Sequence, residues 1–309
     1  MSHNAAISRF VTAQDGLKLH VWDWRPANEA TPLSVICLPG LARSGVDFDD
    51  LATALANDPQ RPRRVLAIDS RGRGKSDYDP NPANYNLAVE IGDVLAVLTA
   101  LGLGQAVFIG TSRGGLLTML LATARPAAIA GCVLNDIGPE IDMTGLMRIK
   151  SYVGKLPEPA DFADAARILK QVMGEQFPKL SDETWLAWAR RSFKEANGRL
   201  VPDYDIKLTA TLGEVDADKP LPSMWKEFDA LANVPMMVVR GANSDILSPK
   251  TLAAMRARHS GMQSIEVPDQ GHAPLLAEPE VIDKIAAFVA SCEQRATAAF
   301  RQRSADRCS

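Results

Sequence analysis

No Cys-x-x-Cys pair occurs in this sequence, and its four cysteines, Cys37, Cys132, Cys292 and Cys308, lie far apart. That scatter argues against a zinc site or a disulfide framework. Cys37 and Cys132 fall in apolar runs read as buried strands, where a thiol behaves as a small hydrophobe. Neither sign of charge dominates: 34 Lys and Arg stand against 37 Asp and Glu, a formal net charge of −3. Nothing in that balance calls for nucleic acid or an anionic membrane as partner. No apolar run reaches membrane-spanning length. Met1-Ser2-His3-Asn4 lacks the basic region and apolar core of a secretory signal. A cytoplasmic protein is the expectation. Internal repeats and low-complexity tracts are also missing. Histidine is scarce, with four in all: His3, His20, His259 and His272.

What is present suits one large α/β domain, or a domain with an insertion, in 309 residues that are 46% hydrophobic and 23% charged. Leu17 to Trp24 alternates apolar and polar residues, as a half-exposed strand does, and Asp15-Gly16 before it reads as a hairpin turn after Ile7 to Val11. Leu33 to Leu38 is a near-continuous apolar run, the pattern of a parallel strand buried on both faces. It runs into Pro39-Gly40-Leu41-Ala42-Arg43-Ser44-Gly45, then a helix opening with Asp47, Asp49 and Asp50. Arg64 to Ile68 is a further buried strand. Gly74-Lys75-Ser76 after it is no P-loop, because Asp69 stands where that motif needs glycine. Leu87, Ile91, Val94, Leu95, Leu98 and Leu101 recur at helical spacing. Gly102-Leu103-Gly104 then reads as a helix C-cap rather than a dinucleotide fingerprint.

Alternating strands and helices imply a parallel, doubly wound sheet. Residues 139–230 break the rhythm with short, proline-divided helices and three of the five tryptophans, Trp185, Trp188 and Trp225. The rhythm resumes at Val234 to Val239 and closes with a helix from Pro279 to about Ser291. The core is therefore expected in 1–138 and 231–309, with 139–230 a helical cap inserted between two core strands. Arg295, Arg301, Arg303 and Arg307 read as a solvated, frayed tail.

The chemistry centres on Val107 to Gly115. An apolar run ends at Gly110, followed by Thr111-Ser112-Arg113-Gly114-Gly115 and at once by a helical stretch. Strand, sharp turn and helix with Gly-x-Ser-x-Gly at the bend would hold the Ser112 hydroxyl clear of the sheet. A serine needs a base, and the base needs a carboxylate to orient it. His3 lies in a loose terminus, His20 in an antiparallel strand, and His259 at a helix end. His272, on the Gln270-Gly271-His272 loop after the last strand, is the candidate base, at the carboxyl end of the sheet where ligands bind. Asp245 follows a neighbouring strand and is the candidate acid. Asp136 also ends a strand and is its rival. Asp69 is expected to pair with Arg71 or Arg73.

Leu38-Pro39-Gly40-Leu41, Asp69 to Ser76, Gly110 to Gly115, Gly241-x-x-x-Asp245 and Gly271-His272 together resemble an α/β-hydrolase, a serine-nucleophile member with a helical cap. The resemblance implies a mostly parallel eight-stranded sheet and the chain order nucleophile, acid, base. It also implies an oxyanion hole from the backbone N–H groups of Leu41 and Arg113. Pro39 stands where the family usually has a histidine. Acyl transfer on small to medium carboxylic esters follows, with no metal or organic cofactor. A lactonase or C–C bond hydrolase is the alternative within the fold, and a non-catalytic ligand receptor the alternative outside it. Trp185, Trp188 and Trp225 are the candidates for a substrate pocket, and the Arg113 side chain is expected to pair with an acid of the cap.

Overall fold

The computed structural model describes residues 6–26, 33–213, 216, 219 and 221–306, without the side chains of 299–306. His3, Pro220, Arg307 and Cys308 lie outside the described residues, as do the side chains of Arg301 and Arg303. The chain opens with the hairpin β1 (Ile7–Thr12) and β2 (Lys18–Trp24). Gly16 takes a φ of +90° in its turn, a conformation that glycine adopts without strain. Then follow β3 (Ser34–Leu38), α1 (Asp49–Ala56), β4 (Val65–Ile68), α2 (Leu87–Ala100), β5 (Ala106–Thr111), α3 (Arg113–Ala124) and β6 (Ile129–Asn135).

After β6 the chain builds α4 (Met143–Tyr152), α5 (Phe162–Met173), α6 (Asp182–Ser192), the hairpin β7 (Phe193–Ala196) and β8 (Arg199–Pro202), α7 (Ala210–Gly213) and α8 (Trp225–Asp229). It then returns to the sheet with β9 (Met236–Gly241), α9 (Pro249–Arg258), β10 (Gln263–Val267) and α10 (Pro279–Asp306). The sheet has eight strands in the order β1-β2-β4-β3-β5-β6-β9-β10. β1, β2 and β4 pair antiparallel, and every pairing from β4 through β3 to β10 is parallel.

The apolar runs split between two layers. Ile36, Leu38, Leu66, Ile68, Phe108 and Leu134 pack with Val94, Leu98 and Leu117 of α2 and α3. Val35, Cys37, Val65, Ala67, Val107 and Val133 pack on the other face with Leu51 and Leu55 of α1 and Phe288 and Val289 of α10. Successive strand residues point to opposite faces, so a sheet covered on both must be apolar at every position. The segment between β6 and β9 has its own core of Leu169, Phe177, Trp185, Trp188 and Phe193.

Two expectations change here. β2 is not half-exposed: its polar residues His20 and Asp23 are fully buried. Asp23 accepts from Arg9, Arg25 and Arg64, and His20 Nδ1 bonds Asp69 Oδ2 at 2.8 Å, so paired polar groups occupy positions that alternation assigns to water. The last helix also does not end near Ser291. It continues to Asp306, and just past Ser291 it is held by Cys292, buried against the sheet layer, and by Glu293, which accepts from Arg63 Nε at 2.9 Å.

Candidate active site

Ser112 sits in the turn between β5 and α3 with φ 51° and ψ −115°, a left-handed conformation that a serine adopts only under constraint. The constraint is close packing. A Cβ on Gly114 would lie 1.9 Å from the Leu38 carbonyl oxygen, and one on Gly110 would lie 2.5 Å from the Gly114 carbonyl carbon. Strand and helix can approach this closely only with glycine on either side of the serine.

The next strand supplies the acid. β6 lies beside β5 with Asn135 opposite Thr111, so Asp136 follows its strand alongside Ser112. Asp136 is fully buried, with a φ of 55°. His272 arrives on the loop after β10. Its Nε2 lies 2.8 Å from Ser112 Oγ and its Nδ1 lies 2.8 Å from Asp136 Oδ2. A carboxylate only accepts, so Nδ1 carries the hydrogen and Nε2 is left to accept from the serine. Gly241 N–H and Ser244 Oγ–H donate to the same carboxylate at 2.9 and 2.6 Å, which completes its hydrogen bonding.

Ser112 and His272 therefore meet as their sequence positions suggest, but Asp245 does not join them. Its carboxylate accepts from Arg148 Nε and Nη2 at 2.6 and 3.0 Å, tying the loop after β9 to α4. Burial opposes the Asp245 charge, but Arg148 outweighs it and holds the carboxyl below its usual range. The residue of this loop that reaches the Asp136 carboxylate is its neighbour Ser244. The signal for Asp136 was its place directly after the strand that follows the serine's own, and strand pairing rather than chain order decides it.

Other expectations are redistributed too. Asp69 does not pair with Arg71 or Arg73; it accepts from His20, Gly45 N–H and Lys75 N–H. Arg71 instead pairs with Asp93, Asp79 and Asp15, and Arg73 with Glu90. The Arg113 side chain meets Glu90 of α2 at 2.7 Å rather than an acid of the inserted segment. His259 is structural, its Nε2 bonding the Leu231 and Val234 carbonyls.

The loop after β3 packs against the serine, and a Cβ on Gly40 would lie 3.8 Å from Ser112 Cβ. Among the described residues no acceptor meets the Leu41 N–H. The Arg113 N–H opens α3 and so has no intrahelical acceptor. Both are available to an oxyanion. Ser112 and His272 open into a cavity of about 470 Å³ between the sheet and the inserted segment, walled by Leu41, Ile149, Tyr152, Met173, Trp188 and Leu275. Of the three candidate tryptophans, Trp188 lines this cavity. Trp185 stacks behind it at 5.2 Å, and Trp225 lies elsewhere, donating to Glu140 under the Arg258 guanidinium. The cavity's two arginines are paired, Arg43 with Asp47 and Arg191 with Asp50, while Glu183 in the same wall meets no cation among the described residues. Among the described residues no helix is long and apolar enough to cross a membrane, and no three His, Cys, Asp or Glu are grouped to hold a metal ion.

One more hydrogen-bond chain has the same composition. His20 links Asp69 at 2.8 Å to Ser8 Oγ at 3.0 Å. Ser8 lies on the exposed edge strand β1, with no strained turn and no place in the cavity. Of these two chains, the Ser112 one is the chain that opens into the cavity described above beside backbone N–H groups without an acceptor among the described residues.

The profile of the alpha/beta hydrolase family matches residues 35–284. The chain belongs to that family. It is similar to a 3-hydroxybutyrate-oligomer hydrolase of Cupriavidus necator, 31% identical over 271 residues that cover 85% of this chain and 89% of that one. A mouse sn-1-specific diacylglycerol lipase is 25% identical over 268 residues, 85% of this chain and 82% of the relative. Among solved structures, an alpha/beta hydrolase from Novosphingobium aromaticivorans superposes with a TM-score of 0.85 at 42% identity, covering 94% of this chain and 99% of that one.

Proposed function

We propose that this hydrolase cleaves carboxylic esters of small to medium acyl length through an acyl-enzyme on Ser112. The observation that carries the reading is the chain Ser112–His272–Asp136, with both links at 2.8 Å, at the floor of the cavity. His272 Nε2 takes the serine proton as Oγ bonds to the ester carbonyl carbon. The oxyanion is held by the Leu41 and Arg113 N–H groups. The proton then passes to the departing alkoxide as its C–O bond breaks, and water attacks the acyl-enzyme by the reverse sequence. Asp136 keeps the imidazole in the tautomer that can act as base. The segment over the site serves as a cap, with Trp188 in its wall.

The substrate class is supported by the cavity and by the relatives. Arginines already paired and mostly apolar walls suit a neutral acyl chain, because a substrate carboxylate buried there would meet no free cation among the described residues. The relatives' names, a hydrolase of 3-hydroxybutyrate oligomers and a diacylglycerol lipase, point to esters as well. The test is hydrolysis of p-nitrophenyl esters from acetate to decanoate by wild type and Ser112→Ala. Turnover lost in the variant is expected, with the chain-length optimum set by the cavity. A folded wild type inert on every ester would overturn the reading and turn attention to lactones and diketones.

A further inference from the structure

Both proposed oxyanion donors lead, through arginine side chains, to one buried carboxylate. Glu90, in the first turn of α2, is 1% exposed. Its Oε1 accepts from Arg73 Nη1 at 2.8 Å and its Oε2 from Arg113 Nε at 2.7 Å. Arg113 is itself the residue after the serine, so this bond anchors one donor residue from its own side chain. Arg73 reaches the other, its Nε donating to the Leu41 carbonyl at 2.7 Å. The peptide before Leu41 is held from its opposite end, since the Gly40 carbonyl accepts from Arg43 N–H at 3.3 Å. Leu41 is thus held at the peptide on either side of it, while its own N–H meets no acceptor among the described residues. Pro39, where the family usually has a histidine, has no N–H and no polar side chain to give this loop support.

We propose that Glu90 is a positioning residue for the whole oxyanion hole, holding the Leu41 peptide through Arg73 and the Arg113 peptide through its own side chain. The hub is rigid because it is dry. Arg73 is fully buried, and its Nη1 also donates to the Arg71 carbonyl at 2.7 Å, on a residue itself clamped by Asp93 and Asp79. Burial opposes the Glu90 charge, but the two guanidinium groups outweigh it and hold the carboxyl below its usual range. The adjoining Arg71 is matched by Asp93, Asp79 and Asp15, so the hub acts by fixing the two donor residues in place rather than by a net charge. Among the described residues Arg73 Nη2 meets no hydrogen-bond acceptor.

The inference rests on the esterase reading, and its test separates the two. Glu90→Gln keeps the shape but loses the charge that pairs both arginines. Glu293→Gln removes the nearer of two carboxylate partners of the buried Arg63, at 2.9 Å on α10, and so controls for the general cost of weakening such a pair. Removing one oxyanion donor outright costs about 10²–10³ in kcat. Displacing two without removing either is expected to cost about 10–100-fold in kcat. KM should stay within twofold and the acid limb of the pH profile should not move, because His272 and Asp136 are untouched. A boronic acid that forms a tetrahedral adduct on the serine should lose affinity by the same factor as kcat/KM. An unchanged kcat and boronate affinity, or equal losses in Glu293→Gln, would overturn the proposal. If Glu90→Gln does not fold, Arg73→Lys gives the same readouts, since one ammonium nitrogen cannot stand at both the Nε position that meets the Leu41 carbonyl and the Nη1 position that meets Glu90. A wild type inert on esters would sink the esterase reading alone. Boronate binding would still report the hub, and a wild type that does not bind boronate would overturn it.

Discussion

Replacing Asp136 by asparagine is the perturbation that separates the two candidate acids most cleanly. Asp136 Oδ1 accepts from Gly241 N–H at 2.9 Å, so in the variant the amide oxygen must stay there to avoid opposing two donors. The amide nitrogen then occupies the position of Oδ2, 2.8 Å from His272 Nδ1 and 2.6 Å from Ser244 Oγ. A donor facing Nδ1 forces the imidazole proton onto Nε2, where it meets the Ser112 hydroxyl and can accept nothing. The fold is kept and the base is lost. In serine proteases the corresponding change costs about 10⁴ in kcat. With this geometry we expect a loss of about 10³–10⁴, or about 4–5.5 kcal/mol at about 1.4 kcal/mol per decade, with little change in KM. Asp245→Asn only weakens the Arg148 bridge beside the site and should cost less than about tenfold, or about 1.4 kcal/mol. The assay is kcat on the best p-nitrophenyl ester, with circular dichroism to confirm folding. A greater loss in Asp245→Asn than in Asp136→Asn would refute the assignment.

Two further outcomes follow from packing and charge. Gly114→Ala should abolish activity and sharply lower the melting temperature, because its Cβ would meet the Leu38 carbonyl oxygen at 1.9 Å. Gly92→Ala, in open space on α2, should instead stabilise by about 0.5–1 kcal/mol; equal melting temperatures for the two would show that the turn can yield. Asp23, with its carboxyl held below its usual range by Arg64, Arg9 and Arg25 against the opposing effect of burial, stabilises the fold above the unfolded carboxylate pKa of about 3.9. That contribution is lost as pH falls through its lower folded value. Asp23→Asn should therefore melt lower than wild type at pH 7, with the gap closing below about pH 4. A gap independent of pH would mean that the effect is not electrostatic.

The features legible in the sequence were those set by local pattern. Ser112 could be placed because an apolar run, a glycine-flanked serine and a helical run are adjacent in the chain. The parallel strands could be placed because a sheet covered on both faces leaves no polar position between Val35 and Leu38. The partners of long side chains were not legible. Arg71 reaches Asp93 and Asp15, Arg113 reaches Glu90, and Asp69 turns from its neighbouring arginines to His20, all over separations of about 20 residues or more along the chain. Such pairings depend on which elements lie side by side, and spacing carries no record of that. β2 was misread for the same reason, since charges 14 and 41 residues away satisfy Asp23 inside the fold.

The acid is the instructive case. Asp136 and Asp245 both follow a strand at the carboxyl edge of the sheet, and both fit the order nucleophile, acid, base. What separates them is that β6 lies directly against β5, whereas β9 lies one strand farther out. Asp136 meets the histidine that bridges over the serine, while Asp245 binds α4 through Arg148. Composition cannot settle the matter either, because Ser8, His20 and Asp69 make the same hydrogen-bond chain on the edge of the sheet. The difference between a structural histidine and a base lies in the surroundings. A serine forced to positive φ between two glycines, with free backbone N–H groups and a cavity before it, can hold a tetrahedral intermediate. A serine on an exposed edge strand cannot.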